Sequence, residues 1–74
     1  MGRKKVVITK HHRNPRSRGG TSNVKNISLV DYDDHVAWHK LFDNYSPETI
    51  CRMINDVWLD PRYEFIVQKR QRKK

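Results

Sequence analysis

Cys51 is the chain's only cysteine, and in a sequence of 74 residues that narrows how it can fold. A domain this short buries only about 60% of the surface its unfolded chain exposes. Scaffolds of this size usually supplement a thin core with disulfides, a metal or a partner. One cysteine excludes an internal disulfide framework and fits a reducing compartment. No apolar run approaches the roughly 20 residues that span a bilayer. The basic start "MGRKKVVITK" carries too short an apolar segment for a signal peptide. The expectation is a soluble, cytoplasmic chain, with one domain over residues 1–68 and a basic tail over 69–74.

Charge is unevenly distributed along it. Residues 1–26 hold eight Lys/Arg and no acid, residues 27–61 hold two and seven, and residues 62–74 hold six and one. Basic ends around an acidic middle suggest a polyanionic partner, with nucleic acid the natural class. For the tail "QKRQRKK", simple solvation is an equally good explanation.

The pattern of residues predicts an α+β fold. "VVIT" (Val6–Thr9) is β-branched and apolar and reads as a strand. "RNPRSRGGTSN" (Arg13–Asn23) is a loop by its Pro, Gly, Ser and Asn. "NISLV" (Asn26–Val30) alternates polar and apolar residues and reads as the second strand of a hairpin. "DYDD" (Asp31–Asp34) offers N-cap candidates and negative charge to a helix over His35–Phe42, which "DNY" (Asp43–Tyr45) breaks. Ser46 is placed to cap a second helix, with Pro47 at its first position. Ile50, Met53, Ile54, Val57 and Trp58 then form one apolar stripe, expected to build the core with Trp38, Leu41 and Phe42. "DP" (Asp60–Pro61) stops that helix. "YEFIV" (Tyr63–Val67) reads as a short C-terminal strand or extended segment packing back on the hairpin.

The four histidines carry the chemistry. His35 and His39 lie four apart, on one helical face, a common way to offer two nitrogens to a metal. His11 and His12 are adjacent in a strand, so their side chains point to opposite faces. With a hairpin beside a helix, one strand histidine and the two helix histidines can converge on a single ion. The other strand histidine then stays free.

The series His11-His12, "PRSRGG" (Pro15–Gly20), Asn26, His35 and His39 resembles the HNH, or ββα-metal, endonuclease motif. It is most similar to the form in the nuclease colicins, where a His-His pair opens the motif and two helix histidines close it. Asn26 and His35 are nine positions apart and His12 and Asn26 fourteen, both within the family's pattern. The motif core spans residues 9–42. Two departures stand out. The chain cannot form the CxxC zinc site of many small HNH proteins. It also has His11 where many relatives have Asp, so a nitrogen replaces an oxygen ligand.

The resemblance implies a role for each residue. His12 would be the general base in hydrolysis of a DNA phosphodiester, and an ordinary imidazole pKa near 6.5 suits that work. His11, His35 and His39 would hold one divalent metal. Three imidazoles favour Zn²⁺, Ni²⁺, Co²⁺ or Mn²⁺, while Mg²⁺ prefers oxygen and would need substrate phosphates to complete its site. Asn26 would brace the loop and the His12 backbone. Arg13, Arg16 and Arg18 have the donor geometry to clamp phosphate, and Lys10 with the tail would add salt-sensitive, sequence-independent binding. Small stand-alone relatives resemble phage and mobile-element nucleases, which implies a phage or bacterial-host setting. RNA remains an alternative substrate, and a protein partner or homodimer would supply targeting. The competing readings are a non-catalytic nucleic-acid-binding module stabilised by its metal, and a metal-free basic accessory protein.

Overall fold

The computed structural model describes residues 5–71. It is a small α+β chain: a two-stranded antiparallel sheet followed by helices. Contacts divide it into two compact units, residues 1–44 and 45–74. The motif core at 9–42 lies wholly within the first.

In the first unit, β1 (Ile8–His12) pairs with β2 (Ile27–Asp31) in a register running from Ile8↔Asp31 to His12↔Ile27. Both strands lie further along the chain than propensity alone indicates. Cross-strand pairing decides the limits. His11 and His12 find partners in Ser28 and Ile27, and the Arg13 N–H continues the pattern onto the Asn26 carbonyl at 2.8 Å. Asn26 itself belongs to a 3₁₀ turn, Val24–Asn26, rather than to β2.

The loop between the strands is tightly wound. A 3₁₀ turn at Arg16–Arg18 closes through Gly19 N–H to Arg16 C=O (3.1 Å) and Gly20 N–H to Pro15 C=O (2.9 Å). The two glycines serve different ends. Gly19 has φ +87°, which side chains disfavour, whereas a Cβ on Gly20 would overlap the Asn14 carbonyl.

Helix α1 (Tyr32–Phe42) begins three residues before the expected start. Asp31 occupies its N-cap, yet its side chain bonds no helical N–H. The acidic run acts instead by placing Asp33 and Asp34 in the first turn, near the positive end of the helix dipole. Asp43 ends the helix at φ +44°, its N–H on the His39 carbonyl (3.0 Å). Phe42 is buried, with the Trp38 ring tilted against it at a centroid distance of 4.8 Å. Leu41, expected in the core, is 40% exposed.

In the second unit, α2 (Pro47–Met53) starts as the sequence indicates. Ser46 Oγ accepts the Thr49 N–H at 3.2 Å and donates to Thr49 Oγ1 at 3.0 Å. The chain then widens into a π-helical turn, Ile54–Trp58, where Leu59 N–H reaches the Ile54 carbonyl at 2.7 Å. Each residue in such a turn rotates through less than the roughly 100° of an α-helix, so the expected stripe loses its alignment. Ile50, Met53 and Ile54 are half-buried, but Val57 and Trp58 are exposed and do not join the core. At the stop, Asp60 accepts the Tyr63 N–H through its carbonyl (2.9 Å) and pairs with Arg62 (2.9 Å), which holds the Asp60 carboxyl below its ordinary pKa.

Of the two forms expected for Tyr63–Val67, a strand or an extended segment, the strand does not form among the described residues. Instead the Asn55 side chain takes both backbone groups of Phe65, accepting its N–H at 2.8 Å and donating to its carbonyl at 2.9 Å. Among the described residues, no helix is long and apolar enough to cross a membrane. Residues 72–74 of the basic tail lie outside the described range.

Candidate metal centre

The hairpin and α1 bring three histidines together. His11 projects from β1. His35 and His39 stand one turn apart on α1. One ligand nitrogen from each lies within 4.8 Å of the others, close enough to hold one metal ion. His35 Nε2 and His39 Nε2 are 3.0 Å apart. The His11 ring meets His35 edge-on at a centroid distance of 5.1 Å and His39 at 5.8 Å.

The surroundings of His11 favour its uncharged ring. His11 is half-buried, and its Nδ1 is buried with no hydrogen-bond partner. An unsatisfied buried polar atom costs about 1–3 kcal/mol, which a partner would recover. Burial lowers the proton affinity of His11, and the neighbouring His35, His39, His12 and Arg13 lower it further. The ring is thus held neutral, the form in which imidazole binds metals. The two helix nitrogens, 3.0 Å apart, are near enough for both to reach one ion. The donor set fits a divalent cation, and three nitrogens leave coordination positions open.

His12, adjacent to His11 in β1, is not one of the three grouped ligands. Its Nε2 meets Ser22 Oγ at 3.2 Å. It shares a cleft of about 290 Å³ with Lys10, Arg16, His35 and His39. Arg13 lines a different cleft, beside His11, Asp34 and Trp38. Arg18 is exposed on the loop and is not among the residues lining the His12 cleft.

Asn26 braces the loop with its whole amide. Its Oδ1 accepts the Asn14 N–H (2.7 Å), and its Nδ2 donates to the carbonyls of Asn14 (3.0 Å) and Thr21 (2.7 Å). These bonds hold the chain just past His12, so Asn26 works through backbone.

Two residues of the site escape sequence reading. Ser22 looks like any loop serine. Thr9, whose hydroxyl lies 2.8 Å from His35 Nδ1, carries one signal: it is two residues before His11 and therefore on the same strand face.

Comparison with protein families, with curated proteins and with solved structures finds no match.

Proposed function

We propose that this chain is a metal-dependent endonuclease of the HNH type, hydrolysing phosphodiester bonds in DNA. The observation that carries the reading is the sorting of two adjacent histidines. His11 joins His35 and His39 in one ligand cluster, while His12 stays outside it yet lines a cleft with two of its members. A structural zinc site is normally closed by four protein ligands. Three ligands with a fourth histidine kept aside suit a site that works on something else.

His12 is the general base, accepting a proton from the water that attacks phosphorus. Lys10 and Arg16, on the same cleft, hold the phosphate by charge, and Arg16 adds paired donors. Asn26 fixes the loop that carries Arg16 and the chain beyond His12. A divalent cation on His11, His35 and His39 would polarise a phosphate oxygen and stabilise the leaving 3′ oxygen. Zn²⁺, Ni²⁺ and Mn²⁺ match the nitrogen set, and Mg²⁺ would rely on substrate oxygen.

The thin core supports a second reading. Phe42 is the buried apolar residue of the described chain, so a metal could serve chiefly to hold the fold of a nucleic-acid-binding module. Supercoiled plasmid separates the two. With Mg²⁺, Mn²⁺, Ni²⁺ or Zn²⁺ the wild-type chain should nick it, EDTA should stop the reaction, and His12→Ala should lose cleavage while keeping metal. Metal-loaded, folded protein that binds plasmid without nicking it would leave the binding module.

A further inference from the structure

Thr9 sits opposite Val30 in the hairpin, and its hydroxyl donates to the Val30 carbonyl at 2.9 Å. The same oxygen lies 2.8 Å from His35 Nδ1. A threonine hydroxyl has one proton and two lone pairs. The Val30 carbonyl has no proton to give, so the hydroxyl proton is committed there. The proton of the second bond must come from the ring. His35 is therefore protonated on Nδ1 and bare on Nε2, the atom that faces His39 at 3.0 Å.

We propose that Thr9 is a positioning residue for the metal centre, fixing the tautomer and ring plane of His35 so that Nε2 is presented as a ligand. The proposal rests on the reading of the histidine cluster as a metal site. The opposite tautomer is penalised twice. It would set the Nδ1 lone pair against the Thr9 oxygen, whose proton is already used. It would also put a hydrogen on Nε2, where an ion needs a lone pair. The arrangement ties the ligand to the hairpin: the carbonyl that orients Thr9 belongs to β2, so correct strand register is read out at the ring nitrogen. Its strength comes from geometry alone. Thr9 and His35 are 26 positions apart in sequence, and Thr9 is partly buried beneath the helix face.

The test uses the full chain, with Thr9→Val, which keeps the branched shape and loses the hydroxyl, and Thr9→Ser, which keeps the hydroxyl. Long-range proton–nitrogen correlation spectra of the metal-free chain above pH 7.5 show which ring nitrogen of His35 bears hydrogen. Calorimetric titration with Ni²⁺ gives affinity. Wild type and Thr9→Ser should both show His35 protonated on Nδ1, with Ni²⁺ affinities within a few-fold of each other. Thr9→Val should shift His35 towards Nε2–H and weaken Ni²⁺ binding by about 10–100-fold, the usual consequence of losing an outer-shell partner. A wild-type His35 protonated on Nε2 would overturn the proposal, as would a folded Thr9→Val with unchanged tautomer and affinity. If Thr9→Val fails to fold, loss of the Nδ1–H form in Thr9→Ser overturns it and retention supports it. A wild-type chain that takes up no Ni²⁺ would remove the metal centre, and the His35 tautomer would still decide whether Thr9 controls the ring.

Discussion

The two units use the same device for different ends. In each, one asparagine side chain imitates a strand neighbour by bonding both the N–H and the C=O of a distant residue. Asn26 does so to Asn14 at 2.7 and 3.0 Å, and Asn55 does so to Phe65 at 2.8 and 2.9 Å. In the first unit the clamp adds to five cross-strand pairs, and it fixes a loop that carries Arg16 beside a histidine cluster. In the second unit the clamp stands in for a strand that never forms. Both units expose large apolar side chains, Ile8, Val24 and Leu29 in the first and Trp58, Tyr63 and Ile66 in the second, but among the described residues the histidines lie in the first alone. Hydrogen bonds with fixed geometry, more than apolar burial, hold the chemistry-bearing half in place.

Replacing the two asparagines should separate their roles. Asn26→Ala removes three side-chain bonds, and at about 0.5–1.5 kcal/mol each it should lower stability by about 2–4 kcal/mol. Plasmid nicking should fall with it, because the loop beyond His12 loosens. Asn55→Ala removes two bonds to Phe65 and a long one to Cys51 Sγ (3.7 Å), and should cost about 1–3 kcal/mol, with the sulfur acceptor adding little, and leave metal affinity unchanged. Urea denaturation and Ni²⁺ titration of both variants make the comparison. An Asn55 variant that lost metal affinity, or an Asn26 variant that cleaved at the wild-type rate, would erase the contrast.

Acid should weaken the metal-free first unit. Folded His11 has a lowered proton affinity, first from burial and then from the surrounding imidazoles and Arg13. Unfolded His11 takes a proton near its ordinary value of 6.5, before the folded form does. Below that pH the unfolded chain binds more protons, so stability present at neutral pH is lost as pH falls through 6.5. In EDTA, the denaturation midpoint should drop between pH 7.5 and 5.5, and His11→Phe should flatten that dependence. A midpoint in the wild type that is insensitive over this range would contradict the depressed proton affinity. The smallest expected change is at the end of α1. Asp43 has φ +44°, a conformation that glycine adopts more readily. Asp43→Gly should raise stability by about 1 kcal/mol in the same denaturation assay and leave metal binding untouched.

Local chemistry was legible in the sequence wherever neighbours along the chain decide the outcome. Ser46 and Pro47 begin α2 as their types require, and the i, i+4 spacing of His35 and His39 brings their Nε2 atoms within 3.0 Å of each other. His11, and not the adjacent His12, groups with the two helix histidines. Decisions taken by distant partners were not legible. The limits of β1 and β2 follow from pairing, and the bonds that Phe65 makes to Asn55 join residues ten positions apart. The π turn at Ile54–Trp58 breaks an apolar stripe that periodicity alone would extend to Trp58. The contact of Thr9 with His35 is equally hidden from the sequence, because the two residues are 26 positions apart.

Calorimetric titration with Ni²⁺ tests most directly the proposed division of labour between His11 and His12. Wild type and His12→Ala should each bind one ion per chain with similar affinity. His11→Ala and His39→Ala should each lose more than the roughly 10–100-fold typical of an outer-shell change. Metal binding that disappears with His12→Ala, or persists undiminished in His11→Ala, would contradict the assignment of one histidine to the ion and its neighbour to the water.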